Sequence, residues 1–156
     1  MNATDTDIAA MRQAIAASRE ARERGDMPFG AVLAAPDGKT LWVAKNNQVS
    51  SGDCTGHAET ALVREAVSAL GAEALRGATV FASGEPCAMC AGAMFWAGIR
   101  RIVFAAPTVD MAEPLGGPQL PLRCAQVLAG AVPAVQVEGP LLREEALAEL
   151  SLPGPG

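Results

Sequence analysis

The sequence predicts an α/β protein with helices on both faces of one sheet, and three observations carry that expectation. Helical and strand periodicities alternate in the order α-β-β-α-β-α-β-α-β-α, the alternation that builds a sheet covered on both sides. The 156 residues are 50% hydrophobic and 19% charged, enough apolar material for a real core, and that length suits one compact domain. The 16 Gly and 11 Pro are scattered between the periodic runs as loop punctuation. We expect one domain over residues 1–150 and a flexible C-terminal tail over 151–156, where Pro and Gly dominate.

Each element has its own signal. Ile8, Met11 and Ile15 recur at helical spacing between Thr4 and Arg24, and Gly25 stands where a C-cap belongs. Phe29–Ala34 and Thr40–Lys45 are short β-prone runs joined by Pro36-Asp37-Gly38, a turn sequence, so they read as a hairpin. Residues 46–56 are polar and aperiodic. Ala61, Leu62, Ala66 and Leu70 then restore helical patterning from His57 to Leu70, closed by Gly71. Ala78–Ser83 reads as a buried strand, Gly84-Glu85-Pro86 as a turn, and Cys87–Ala97 as a helix of small residues suited to close packing. Ile102–Ala105 is a further strand. A Pro/Gly-rich stretch follows from Pro107 to Pro121, then a helix over 122–128, a strand over 135–137 and a closing helix over 141–150.

Composition excludes several classes. Twelve Lys and Arg against seventeen Asp and Glu give a net charge of -5, the wrong sign for a polyanion-binding surface. No run approaches 18 uninterrupted apolar residues, and the N-terminus shows neither a basic nor an apolar leader pattern. No membrane partner is expected, and cytoplasmic location is. Four cysteines, Cys54, Cys87, Cys90 and Cys124, are too sparse for a disulfide scaffold. Reduced thiols in a Cys-x-x-Cys pair more often bind metal or do chemistry.

The chemistry concentrates in two segments. His57 is the only histidine, followed by Ala58 and Glu59; Pro86-Cys87-Ala88-Met89-Cys90 comes one helix and one strand later. Cys87 and Cys90, three residues apart on a helix, share a face and can reach one Zn²⁺ at about 2.3 Å. His57 supplies a third ligand. Both segments fall at helix N-termini, where unpaired N–H groups favour thiolate over thiol. Three protein ligands leave a tetrahedral ion one open position, the mark of a catalytic zinc, with water in the gap. Two thiolates and a neutral imidazole cancel the charge of the ion, so water there is only weakly acidified and needs a neighbouring base. Glu59 is the candidate catalytic residue for that proton transfer.

H-x-E with P-C-x-x-C is the signature of zinc nucleobase deaminases. Together with Pro28-Phe29-Gly30-Ala31-Val32, Asn46 in Lys45-Asn46-Asn47, and Glu85-Pro86-Cys87-Ala88-Met89-Cys90-Ala91-Gly92-Ala93-Met94, it makes residues 27–106 resemble the cytidine/cytosine deaminase superfamily. Within it the chain is similar to the branch of guanine deaminases, free-base cytosine deaminases and tRNA adenosine deaminases. The resemblance implies a three-layer α/β/α fold with a five-stranded mixed sheet, and a homodimer to which the small-residue helix after Cys90 could contribute. It places Asn46 against the base, and Met94-Phe95-Trp96-Ala97-Gly98 resembles the guanine deaminase segment in which an aromatic walls the base pocket. Trp96 and Phe29 are thus candidate substrate contacts, with core packing as the other reading. The backbone N–H groups at Ala58 and Cys87 are candidate donors to a developing oxyanion.

The chain also departs from that branch. Guanine deaminases of this kind carry an acidic residue after the fourth strand; here Gly116-Gly117-Pro118-Gln119 has none, and Asp110 and Glu113 are the nearby candidates. The tail has no aromatic to close a partner's site. With two lysines in total and an acidic last helix, the chain lacks the basic path that the tRNA enzymes carry. The expected activity is hydrolytic deamination of a free nucleobase or nucleoside, guanine-type purine first and cytosine-type base next. Two alternatives stay open: a tRNA-specific adenosine deaminase, and a non-enzymatic module in which Cys54 closes a structural zinc as fourth ligand.

Overall fold

Thr4 starts the first helix by chemistry local to the sequence. In the computed structural model, which describes residues 1–154, the Thr4 hydroxyl accepts the Asp7 N–H at 3.0 Å, and the Asp7 carboxylate accepts the Thr4 N–H at 3.1 Å. This reciprocal capping box opens α1 (Asp5–Arg24), and Gly25 ends it at φ 96°. β1 (Gly30–Ala34) and β2 (Thr40–Lys45) form the expected hairpin. A short helix, α2 (Gln48–Ser51), sits inside the segment expected to be irregular. Then come α3 (Ala58–Leu70), β3 (Thr79–Gly84), α4 (Ala88–Ala97) and β4 (Arg101–Ala106). The chain closes through α5 (Thr108–Leu115), α6 (Cys124–Val127), β5 (Gln136–Glu138) and α7 (Arg143–Leu150).

The sheet is mixed and five-stranded, in the order β2-β1-β3-β4-β5. β1 runs antiparallel to both β2 and β3, whereas β3, β4 and β5 are parallel. β1 and β3 are buried along their whole length, as strands covered on both faces must be. Alternate residues feed two cores. Leu33, Val80 and Ile102 meet Leu62 of α3 and Met94 of α4 on one side. Val32, Phe81 and Val103 meet Met11 and Ile15 of α1, Met111 of α5 and Leu150 of α7 on the other. These are the three layers expected. Gly30 is required by the approach of α1, since a Cβ there would lie 2.2 Å from the Ala14 carbonyl oxygen.

Three boundaries correct the sequence expectation. The Pro/Gly-rich stretch contains α5, with Pro107 at its N-cap and Pro114 inside its last turn. The helix expected over 122–128 is a single turn, and α7 begins two residues later than expected. Of the expected tail, Ser151–Gly154 are exposed beyond α7, and residues 155–156 lie outside the described residues.

α1 and α7 are tied by a buried carboxylate. Glu149, 7% exposed at its side chain, accepts from Arg19 at 2.9 Å and pairs with Arg22. Burial works against its charge, but the two guanidiniums prevail and hold the carboxyl below the ordinary 4.5. A carboxyl depressed in the folded state contributes stability above its unfolded value and loses it as pH falls through the folded value. Glu149→Gln is therefore expected to lower Tm at pH 7 relative to the unsubstituted chain. That gap should close below about pH 4 in paired thermal melts; a gap independent of pH would refute the assignment.

Candidate active site

The cleft lies at the end of the sheet where β3 and β4 finish, at Gly84 and Ala106 in register. Ligands of open α/β sheets gather at such carboxyl ends. Two helices start there, and each has a candidate ligand at its N-cap: His57 for α3 and Cys87 for α4. Cys90 follows one turn into α4 and is fully buried. The His57 Nδ1 lies 3.6 Å from the Cys87 sulfur and 3.4 Å from the Cys90 sulfur, and the three donor atoms all fall within 4.8 Å of one another. A tetrahedral zinc with ordinary bond lengths holds nitrogen and sulfur ligands about 3.6 Å apart. The set fits zinc. Among the described residues no fourth side chain joins this group: Cys54 lines the cleft on an exposed loop, and Cys124, buried behind it, is pushed up to about 12 by burial and stays a neutral thiol.

The ionisable groups at this corner perturb one another strongly. The neighbouring Cys90 thiol, with His57 alongside, outweighs burial and lowers Cys87 to about 4, while the Cys87 sulfur and burial hold Cys90 above its ordinary range. His57 is raised in turn, chiefly by the Cys87 sulfur. Glu59 sits two residues into the same helix start and is 5% exposed. Burial pushes its carboxyl up to about 7, the Cys87 thiolate adds to this, and the Cys90 thiol and His57 oppose it. A carboxyl near 7 both takes and gives a proton close to neutrality.

Around this corner the cleft encloses about 550 Å³. Asn46, 1% exposed, enters from the end of β2; its carbonyl oxygen accepts the Gln48 N–H at 3.0 Å and its amide donates to the Gln48 side chain at 2.7 Å. The start of α2 beside them is fixed by Asp26, whose carboxylate accepts the backbone N–H groups of Val49 and Ser50 at 2.9 and 2.8 Å. Phe29 forms a wall across the end of β3, where a Cβ on Gly84 would sit 2.6 Å from its ring. Ala58 lines the cleft as the first residue of α3, where an N–H has no partner within the helix.

Trp96 corrects the sequence expectation. It is 84% exposed on the outer side of α4, edge-on to Phe95 at 5.0 Å, and outside the cleft. Met94 faces the core, and two residues further on a helix turns the side chain about 200° away. Asp110 is paired to Arg143 at 2.8 Å, and neither it nor Glu113 lines the cleft. Residues not anticipated from sequence take that side instead: Met111, Leu115 and Gln119, from α5 and the loop after it. The i, i+4 spacing of Met111 and Leu115 was the available signal.

Three side chains that would hold zinc, with a proton-carrying carboxylate beside them, are the equipment of a zinc-dependent hydrolase, here one that cleaves the exocyclic C–N bond of a cyclic amidine. Residues 4–106 match the family described as the cytidine and deoxycytidylate deaminase zinc-binding region, and the chain belongs to that family. A probable cytosine deaminase of Schizosaccharomyces pombe is 34% identical over 148 residues, 92% of this chain and 90% of that one. A tRNA-specific adenosine deaminase of Agrobacterium fabrum is 41% identical over 107 residues, covering 69% of this chain and 66% of its own. The structure of a guanine deaminase from Nitrosomonas europaea superposes with TM-score 0.78 at 26% identity, covering 96% of this chain and 84% of that chain.

Proposed function

We propose that the chain, acting as one deaminase domain over residues 1–150, removes ammonia from a free nucleobase or nucleoside, guanine-type purine first and cytosine-type base next. One observation carries this reading: among the described residues lining the cleft none is Lys or Arg, so a substrate phosphate would meet no basic side chain, while Glu59 and the His57–Cys87–Cys90 set face the same space. A polynucleotide needs the opposite charge. The apolar walls, Phe29 and Met111 among them, suit a planar heterocycle.

His57, Cys87 and Cys90 hold zinc, which when bound acts as a Lewis acid and lowers the pKa of water. Glu59 takes a proton from the attacking water as its oxygen bonds to the amidine carbon. It delivers that proton to the adjacent ring nitrogen, then takes the remaining proton of the added hydroxyl and passes it to the amine as the carbonyl forms, the C–N bond breaks and ammonia leaves. Asn46 orients the base, with one amide hydrogen already committed to Gln48. Phe29 packs on the ring, and the Ala58 N–H faces the developing oxyanion.

We place the enzyme in the cytoplasm as a homodimer. No helix among the described residues is long and apolar enough to cross a membrane. α4 carries no charged residue and exposes Trp96, a surface that a second copy would cover.

An ammonia-release screen over guanine, guanosine, cytosine, cytidine, adenine and a tRNA anticodon stem tests the reading. Free bases or nucleosides are expected to turn over. Light scattering is expected to give twice the chain mass. Turnover of the anticodon stem alone, with binding that weakens steeply as salt rises, would replace this reading with tRNA editing.

A further inference from the structure

We infer that Glu85 is a positioning residue that clasps a strap, residues 108–123, over the cleft and thereby restricts the enzyme to a free base. The inference rests on the deaminase reading above and deepens it. The Glu85 side chain is 1% exposed. One of its oxygens accepts the Thr108 N–H at 2.9 Å, where α5 begins. The other accepts the Cys124 N–H at 3.0 Å, where α6 begins. Arg123 Nε donates to both oxygens, at 2.9 and 3.0 Å. The two ends of the strap thus converge on one carboxylate, which is itself next to Pro86 and Cys87. With its acceptor sites occupied in this way, Glu85 has no role left as a proton carrier, although it lines the cleft.

The strap matters because of what it presents. Of the twenty-one residues lining the cleft, ten lie between Thr108 and Pro121, and of those ten only Thr108 and Gln119 have polar side chains. A flat heterocycle packs well beneath Val109, Met111 and Leu115. A ribose does not: each hydroxyl buried there without a partner costs about tenfold in affinity. Releasing either end of the strap removes that penalty along with the packing on the base. Selectivity and KM should therefore respond, while the proton chemistry at Glu59 is left in place.

The experiment compares the zinc-loaded chain with Glu85→Gln and Arg123→Met. Arg123 is partly exposed and its replacement keeps the apolar stem, so it serves if the buried variant folds poorly. The unsubstituted enzyme is expected to prefer guanine over guanosine, or cytosine over cytidine, by at least about tenfold in kcat/KM. Both variants should keep one zinc, raise KM for the base roughly tenfold with kcat changed less than about threefold, and lose most of the base-over-nucleoside preference. Hydrogen–deuterium exchange should speed at least about tenfold at the Thr108 and Cys124 amides, with α1 and β3 unchanged. Unaltered exchange in both variants, equal use of base and nucleoside by the unsubstituted enzyme, or a fall in kcat at constant KM would each overturn the inference. Absence of turnover on every base would instead sink the deaminase reading and the free-base claim, and the exchange measurement would still decide whether Glu85 is the clasp.

Discussion

Glu59→Gln is expected to lower kcat by about 10²–10⁴-fold with zinc still bound at one per chain. The substitution keeps the shape of the side chain but removes its capacity to carry a proton. A second, opposite effect accompanies the loss. Burial raises the folded-state pKa of Glu59 to about 7, while the unfolded carboxyl ionises near 4.5. Above 4.5 the unfolded chain gives up a proton that the folded chain retains, so stability of the zinc-free protein falls as pH rises from 4.5 toward 7. The Gln variant lacks that slope. It should melt higher than the unsubstituted zinc-free chain at pH 7 and close to it at pH 4.5. Full turnover by Glu59→Gln on an established substrate would end the proposed mechanism; equal melting temperatures at pH 7 would show that the buried carboxyl carries no such penalty.

Removing a ligand should do more than removing the proton carrier. Cys90 is fully buried and its sulfur sits 3.4 Å from His57 Nδ1, so Cys90→Ala leaves two donors and an apolar gap. Zinc affinity is expected to fall by more than about 100-fold and ammonia release to fall to background. Tm should drop with the metal and not recover on adding zinc. Cys54→Ala is the control, because its sulfur stands outside the ligand group and zinc content should not change. Zinc lost from Cys54→Ala as readily as from Cys90→Ala would restore the closed four-ligand arrangement.

Legibility in the sequence follows the range of the interactions involved. α1 was readable at both ends because its cap at Thr4 and its stop at Gly25 are made by neighbours in the chain. His57, Cys87 and Cys90 were readable because two helix starts hold them, although the strand pairing that brings those starts together is long-range. α5 was hidden by its own punctuation. Pro107 and Pro114 advertise a loop, yet one sits at the N-cap, where no intrahelical N–H is needed, and the other interrupts only the last turn. Trp96 is not legible from its motif context, because helix phase turns it away from the side bearing Met94. Glu85 is legible only as part of the Cys87 motif, since its partners Thr108, Arg123 and Cys124 are 23 to 39 residues distant and nothing local announces them.

The arrangement at Glu85 separates anchorage from recognition. The anchoring hydrogen bonds use two backbone amides and one guanidinium, and none of them depends on which side chains occupy positions 109 to 121. Substitutions at the positions there that line the cleft without entering the core can accumulate, or be engineered, without disturbing the chemistry below. A scaffold with this modularity can acquire new specificity by changing the cleft-facing residues of that segment that the core does not also use, such as Val109 and Gln119, while its reactive centre is inherited intact.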